Sequence, residues 1–422
     1  MQEDFLHYIW KYRKYESQDL MTSDMQNIDV VATGEHNLNA GPDFFNAQIR
    51  IGEQLWAGNV EIHIKSSDWF LHNHELDKAY DNVILHVVWE HDAEVFRKDN
   101  SVIPILELRD CVSPSSLNNY TKLLNGKQQW INCENDFPEM DGFTIQNWLE
   151  RLYFERLERK SIEIFKLLEI SKNDWEAVLF KMLAKNFGLK VNGESFLSLA
   201  NSFDFSVLRK SQPKLEQIEA LLFGQSRMLE TAVEEPYFQS LQKDYQFLKQ
   251  KFKLETAMVS PSFFRLRPPN FPTIRLSQLA NLYHKHQNLF SKLIDSGSID
   301  DIYQLFSVEA SAFWKRHYTF SKASKVSKKR LSKAFIDLLI INTIVPLKFS
   351  YAKHQGKSSE ESIINLLGNI SSENNSVVNK FNALQKVSEN AMQSQALIQL
   401  KNEYCDKNLC LKCAIGNKLL NR

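Results

Sequence analysis

Four side chains in the first 65 residues are of types that catalyse hydrolysis at a metal ion. Asp43 follows a Gly-Pro pair, and Glu61, His63 and Lys65 occupy alternate positions of a strand-like run. Alternation places these three groups on one face of a strand. Two carboxylates suit Mg²⁺ or Mn²⁺, and a neighbouring imidazole or amine can orient or deprotonate a water. An ordinary half-exposed strand is the alternative interpretation.

Histidines are concentrated in the same part of the chain, where seven of the 11 lie between positions 7 and 91. His72 and His74 have a His-x-His spacing, which on a strand would place both imidazoles on one face, as at many transition-metal sites. Glu35 and His36 precede the first carboxylate and could approach it. His86 lies in an apolar run, and we interpret it as a core residue. The alternative site is therefore zinc or manganese held by histidines together with the two carboxylates.

Three of the five cysteines form a C-x4-C-x2-C pattern near the C-terminal end, at Cys405, Cys410 and Cys413. Clustered thiolates bind zinc or an iron–sulphur cluster, and each needs four ligands in its common form. The fourth ligand could be Cys133, Cys111, a nearby histidine or none. A tail with loosely placed thiols is the alternative. The cysteine pattern does not indicate a disulfide framework.

Basic and aromatic residues alternate irregularly between positions 314 and 333 (WKRHYTFSKASKVSKKRLSK). Lys and Arg contact phosphates, and aromatic rings stack on bases, so the segment predicts contact with nucleic acid. A solvated helix face is the alternative. The predicted contact residues, two of them from a Pro-rich loop, are Arg265, Arg267, Lys315, Arg316, Lys328, Lys329 and Arg330.

Charge is unevenly distributed along a chain whose formal net charge is zero. Residues 1–100 carry 8 basic and 18 acidic residues, so 8 − 18 = −10, and the remainder carries +10. This asymmetry suggests metal ions as partners of the first part and polyanions as partners of the second. The most apolar run, residues 335–349, contains Asp337, Asn342, Pro346 and Lys348 and predicts a buried helix rather than a membrane span. We expect a cytoplasmic protein without a targeting segment.

Hydrophobic periodicity predicts an α+β protein with two domains. Residues 1–112 form a small α/β module, and residues 113–422 are mainly helical and include the cysteine cluster. The predicted elements of the module, in chain order, are a helix over 3–16, strands over 27–33, 46–51 and 55–65, a short helix within 68–82, a fully buried strand over 82–89 and an edge strand over 102–108.

The first quarter of the chain resembles the PD-(D/E)XK nuclease superfamily. Pro42-Asp43, followed after a hairpin by Glu61-Ile62-His63, is similar to the family's Pro-Asp and (Asp/Glu)-x-Lys signature. The family fold is a helix, a three-stranded meander, a helix and a further strand, which is the order predicted here. The resemblance implies that the aspartate and the glutamate bind the metal and that the reaction is phosphodiester hydrolysis.

This sequence departs from the family pattern at one catalytic position. His63 stands where the family has lysine, and either His63 or Lys65 could take its role in supporting the attacking water. Family members often carry a glutamate on the first helix, for which Glu3 or Glu16 could serve.

The sequence thus predicts a metal-dependent nuclease or a nuclease-derived nucleic-acid-binding protein. A non-catalytic scaffold or adaptor is one alternative, and a His-rich metal-dependent hydrolase of a small molecule is another. The whole chain also resembles an uncharacterised bacterial family, a domain of unknown function, which implies no activity.

Overall fold

The computed structural model describes residues 2–37, 39–124, 129–255 and 259–421. Its fold is α+β, with a six-stranded mixed sheet in the N-terminal part followed by a large helical region. The chain forms two compact units. The first contains residues 1–148, 380–387 and 398–422, and the second contains residues 149–379 and 388–397. The C-terminal segment with its cysteines therefore belongs to the same unit as the sheet.

The sheet has the strand order β1-β3-β4-β5-β6, and β2 pairs with the start of β3. Pairs β1–β3 and β3–β4 are antiparallel, whereas β4–β5 and β5–β6 are parallel. The parallel β4–β5 pair needs a crossover, and the residues between the two strands include a short helix. The strands are β1 (Ile28–Ala32), β2 (Glu35–His36), β3 (Phe44–Ile51), β4 (Gln54–Lys65), β5 (Val83–Glu90) and β6 (Ile105–Glu107), and the first two helices are α1 (Glu3–Lys11) and α2 (Asp68–Leu71).

The sequence-based predictions for the sheet are confirmed in element type and order. β3 and β4 form the expected hairpin. β5 is buried on both faces over its first six residues, as its continuous apolar run indicates. β6 lies at the sheet edge. The two-residue strand β2 was not predicted, because two residues carry no periodicity.

Helix α1 is shorter than predicted. Its apolar stripe, which includes Phe5, Leu6 and Ile9, is buried, and the helix packs on β4. The helix ends at Lys11 rather than at residue 16, because Arg13 has φ of 48° and left-handed backbone cannot continue an α-helix.

Gly58 permits the close approach between β4 and the start of β5. A Cβ atom at this position would lie 2.4 Å from Ile84 Cγ2 and 2.7 Å from the carbonyl oxygen of Asn82. Since no side chain fits there, glycine lets β5 pair directly beside the central strand.

Helices dominate the rest of the described chain, as predicted for residues 113–422. Their bounds are α3 (Pro114–Leu124), α4 (Gly142–Ile170), α5 (Trp175–Phe187), α6 (Leu189–Asn201), α7 (Phe205–Ser211), α8 (Leu215–Gln225), α9 (Pro236–Phe252), α10 (Pro272–Lys285), α11 (Leu289–Asp295), α12 (Ile299–Leu305), α13 (Lys333–Leu339), α14 (Val345–His354), α15 (Glu360–Gly368), α16 (Ser376–Leu384), α17 (Ala391–Gln399) and α18 (Ala414–Leu420).

The apolar run over residues 335–349 is a buried helix, as predicted, but the helical stretch is longer than the run. Helices α13 and α14 are joined by a π-helical turn, Ile340–Ile344, into one stretch over Lys333–His354. By length and composition this stretch could cross a bilayer, yet 67% of its most apolar window is buried inside the protein. That burial is typical of a core helix. The cytoplasmic location stays a prediction.

Candidate metal centre

The candidate site lies where α1 covers the middle of β4. Phe44, the first residue of β3, pairs with Val60 of β4, and this register places Asp43 beside Glu61. Both faces of β4 are buried from Asn59 to His63. The alternative of an ordinary half-exposed strand is therefore wrong for Glu61 and His63, which are 5% and 2% exposed.

The two carboxylates are held together by reciprocal backbone hydrogen bonds. The backbone N–H of Asp43 donates to Glu61 Oε2 at 3.1 Å, and the backbone N–H of Ile62 donates to Asp43 Oδ2 at 3.0 Å. These bonds fix one oxygen of each carboxylate. Glu61 Oε1, the remaining oxygen of the buried glutamate, is directed at imidazole rings.

Three imidazoles converge beside Glu61. Ring nitrogens of His63, His72 and His74 lie within 4.8 Å of one another. His63 Nε2 is 3.1 Å from His72 Nδ1 and 3.6 Å from Glu61 Oε1. His74 Nε2 lies 3.3 Å from the same carboxylate oxygen. The predicted pairing of His72 with His74 thus occurs, but in the turns after β4 rather than on a strand.

Two further histidines flank this group. His63 Nδ1 is 2.8 Å from Nε2 of His86, which is fully buried. This bond fixes the ring orientation of His63, as outer partners of metal-bound histidines do. His86 was interpreted from the sequence as a core residue, and it is one, but it also positions the site. On the other side, His7 Nε2 lies 3.2 Å from Asp43 Oδ2.

The electrostatics of the group favour a bound cation. Burial and the neighbouring Asp43 raise the pKa of Glu61 to about 9. Burial and the neighbouring His74 and His72 lower the pKa of His63 to about 3, and burial lowers the pKa of His86 well below its ordinary value. A buried carboxylate that must bind a proton, beside imidazoles that cannot, is stabilised by a divalent cation.

The donor atoms fit a first-row transition metal. Bonds of about 2.0–2.1 Å place neighbouring ligand atoms about 3.0–3.4 Å apart, and the separations here are 3.1, 3.3 and 3.6 Å. The buried Nε2 atom of His74 faces Glu61 Oε1 at 3.3 Å without making a hydrogen bond, so both atoms could bind one metal. Three imidazoles and a carboxylate suit zinc or manganese better than Mg²⁺, which prefers oxygen ligands.

Glu3 and His7 extend the site from one face of α1. They lie four residues apart and so share that face. Burial and the nearby Asp43 raise the pKa of Glu3, so Glu3 rather than Glu16 is the helix glutamate near the carboxylates. Glu16 is exposed beyond the end of α1. Sequence reasoning missed His7, although its spacing from Glu3 was a signal.

Lys65 and His36 lie outside the group formed by Glu61 and the three imidazoles. Lys65 Nζ lies 4.0 Å from Glu90 Oε1 and 3.9 Å from Asp92 Oδ2, and its side chain is half exposed. The structure does not bring it to the imidazole group. His36 stacks on Phe44 with ring centroids 4.8 Å apart and borders the ring of His7.

The predicted nucleic-acid-binding residues lie in the second unit. Arg265 and Arg267 precede α10, and the other five lie between α12 and α13, where the chain forms one 3-10 turn and isolated β-bridges. The alternative of a solvated helix face is therefore wrong. Trp314 is fully buried and cannot stack on a base. Lys329 is 6% exposed and its Nζ donates to the carbonyl oxygen of Lys315 and to Ser327 Oγ.

The other cations of this prediction remain on the surface. Lys315 and Arg330 pair with Glu309 at 3.5 and 3.3 Å. Four cations are exposed and can meet a phosphate, so nucleic-acid contact stays a prediction; they are Arg265, Arg267, Arg316 and Lys328.

Comparison with known proteins gives a family but no activity. The model of one protein family, described as "Protein of unknown function (DUF2851)", matches residues 3–376. No curated protein and no solved structure matches the chain.

Proposed function

The chain belongs to this family of proteins of unknown function, and we propose from its site that it is a metal-dependent hydrolase acting on phosphodiesters. One observation carries the proposal: Glu61 Oε1 and the nitrogens of three imidazoles, of which His63 is buried, His74 half-buried and His72 exposed, converge at metal-ligand separations. A bound metal would supply Lewis acidity and a water of lowered pKa.

The ligands in this proposal are Glu61, His63, His72 and His74, and the metal is zinc or manganese. Mg²⁺ is the weaker candidate, because imidazole nitrogens outnumber carboxylate oxygens around the central position. Asp43 binds from the adjacent side or orients the water, since its carboxylate is already fixed by the N–H of Ile62.

Proton transfer falls to His7 in this proposal. Its Nε2 lies 3.2 Å from Asp43 Oδ2, and its side chain is 17% exposed, so it can exchange protons with solvent. Such a group can take the proton of the attacking water or return one to the leaving oxygen. In the proposed site His63 is a ligand rather than the base that stands for the family's lysine.

Phosphodiesters are proposed as substrates because of the order of elements around the site. A helix, three antiparallel strands, a short helix and a parallel strand follow one another, with Asp43 directly before the second strand of the meander and Glu61 on the third. This order supports the resemblance to PD-(D/E)XK nucleases. The exposed cations of the second unit are the proposed contacts to a polyanionic substrate.

A small-molecule substrate is the second candidate. The excess of acidic residues in the first 100 positions, 8 − 18 = −10, favours it, because a negative surface repels a polyanion. Both candidates share the metal and its ligands.

Metal content and hydrolysis test the proposal together. Full-length protein is purified without chelator, and zinc and manganese are measured in wild type, Glu61→Gln and His74→Ala. The controls are Glu90→Gln, on the neighbouring strand, and His91→Ala. We expect about one metal per chain, lost in the two site variants and kept in both controls. Loss of a residue that only orients a metal ligand costs roughly 10–100-fold in metal affinity or activity, and we expect loss of a ligand itself to cost at least as much. Retention of the metal in both site variants would overturn the assignment.

Hydrolysis of bis(p-nitrophenyl) phosphate, single-stranded DNA and double-stranded DNA is then measured with Mn²⁺, Zn²⁺ and Mg²⁺. Cleavage of DNA that fails in Asp43→Ala supports the phosphodiester proposal. Metal binding without cleavage of any of the three substrates favours the small-molecule candidate and contradicts the nuclease.

A further inference from the structure

Four of the five cysteines line one cavity of the first unit. Cys133 comes from the segment before α4, and Cys405, Cys410 and Cys413 come from the C-terminal segment. The other lining residues are largely apolar, among them Phe137, Phe381 and Leu400. The structure thus adds one thiol to the three that the C-x4-C-x2-C pattern groups.

The fifth cysteine is separate from this group. Cys111 lies after β6, and its thiol contacts the carbonyl oxygen of Glu107 at 3.7 Å. The cavity is lined by neither Cys111 nor any histidine. The set of donors is therefore four thiols.

We propose that Cys133, Cys405, Cys410 and Cys413 bind an iron–sulphur cluster that fastens the C-terminal segment to the sheet unit. Four thiolates are the common ligand set of [4Fe–4S] clusters as well as of structural zinc. The proposal is independent of the hydrolase site, because it uses other residues and another metal.

A cluster and a single zinc ion need different amounts of space between the thiols. Zinc–sulphur bonds of about 2.3 Å place the four sulphurs of one zinc site about 3.8 Å apart, whereas each thiolate of a cluster binds a different iron. The four thiols here line one cavity, and a cluster would occupy the space that they enclose.

The surroundings of the thiols also fit bound thiolates. The side-chain N–H of Asn132 donates to Cys410 Sγ at 3.4 Å, and hydrogen bonds of this kind tune cluster potentials. Gly416 lets the start of α18 approach the cysteine turn, since a Cβ there would lie 2.1 Å from the Cys410 carbonyl oxygen.

The fastening role follows from what the C-terminal segment touches. The 3-10 turn Cys410–Lys412 packs against α1. Tyr8 Oη of α1 donates to Asn421 Oδ1 at 3.2 Å, and α18 packs on α3. A cluster at the four thiols would hold together segments that lie far apart in the chain.

Anaerobic purification of the full chain tests the proposal. Iron, acid-labile sulphide, zinc and the absorbance near 400 nm are measured for wild type, Cys133→Ser, Cys410→Ser and the matched control Cys111→Ser. We expect about four irons and four sulphides per chain in wild type and in the control, and at least a tenfold loss in the two ligand variants.

Other outcomes would overturn the proposal. If wild type contains about one zinc per chain and the same two variants lose it, the four thiols bind a single zinc ion and not a cluster. Absence of metal from anaerobically purified wild type, or its retention in both ligand variants, would remove the site. If the ligand variants fail to fold, wild-type protein treated with ferricyanide and chelator supplies the second measurement. Four additional thiols must then become reactive as the 400 nm absorbance disappears, and unchanged thiol reactivity contradicts the assignment.

Discussion

Glu61 provides a test of the candidate site that needs no substrate. In chelator-treated protein its pKa is about 9, raised by burial and by Asp43, against an ordinary value of 4.5. Between these values the folded state binds a proton that the unfolded state has lost. The free energy of unfolding therefore falls as pH rises through this window, by about 1.4 kcal/mol per pH unit for one group.

His63, in the same site, has the opposite effect on the free energy of unfolding at lower pH. The pKa of His63 is lowered from 6.5 to about 3, chiefly by burial. Between pH 3 and 6.5 the unfolded state binds the additional proton, so His63 makes stability rise with pH and offsets Glu61. Above pH 6.5 His63 no longer contributes, whereas Lys160, whose pKa burial lowers to about 7, makes stability rise with pH and is common to wild type and Glu61→Gln. The Glu61 effect is therefore the difference between these two proteins. From 6.5 to 9 it amounts to 2.5 pH units, or at most about 3.4 kcal/mol.

Urea unfolding measures this effect. Wild type, Glu61→Gln and the exposed control Glu90→Gln are stripped of metal and unfolded at half-unit intervals from pH 6.5 to 9. We expect the free energy of unfolding of wild type, relative to that of Glu61→Gln, to fall as pH rises, and the Glu90→Gln control to keep the wild-type slope. Added Zn²⁺ or Mn²⁺ should abolish the contribution of Glu61 to the slope, because the metal displaces the proton. Identical slopes for wild type and Glu61→Gln would refute the reasoning.

Three further predictions concern other parts of the chain. Burial lowers the pKa of Lys160 to about 7, and Lys160 lines a cavity of about 390 Å³. An acylating reagent at pH 8 should therefore label Lys160 at least about tenfold faster than the exposed Lys166. Equal labelling of the two lysines, measured by mass spectrometry, would contradict this prediction. Cys410→Ser should make the C-terminal segment sensitive to limited proteolysis, whereas Cys111→Ser should not, and equal digestion patterns would argue against the fastening role. Gly58→Ala should cost about 1–3 kcal/mol in urea unfolding because its Cβ would meet Ile84 and Asn82, while Gly142→Ala, where a Cβ meets nothing within 4 Å, should cost little.

The sheet could be predicted from the sequence because its strands carry strong local signals. The apolar run of β5 and the alternation in β3 reflect the burial of each strand. In β4 the alternation indicates a strand but not its burial, because both faces are covered from Asn59 to His63. The segment between α12 and α13 could not be predicted in this way. Its lysines suggest a solvated helix face, but tertiary contacts of Trp314 and Lys329 decide its conformation, and these involve residues distant in the chain.

The candidate site was predictable in its carboxylates and only partly in its imidazoles. A two-strand hairpin relates Asp43 to Glu61 by local register, so their proximity follows from the sequence. His72 and His74 reach Glu61 through turns after β4, whose path no periodicity encodes. Cys133 joins the other cysteines only through the packing of the C-terminal segment, so the sequence left the fourth ligand among several alternatives.

His63 stands where the nuclease family that the sequence resembles has lysine, and this difference affects the choice of metal. A lysine at this position would place a cation beside the carboxylates, where it could support a water but could not bind a metal. The imidazole of His63 is neutral over the physiological range because burial lowers its pKa to about 3, and its Nε2 faces Glu61 at 3.6 Å. A neutral nitrogen donor adds a ligand instead of a charge. In the proposed site the exchange of lysine for histidine therefore shifts the preferred metal from Mg²⁺ towards zinc or manganese, and it transfers proton handling to His7 on α1.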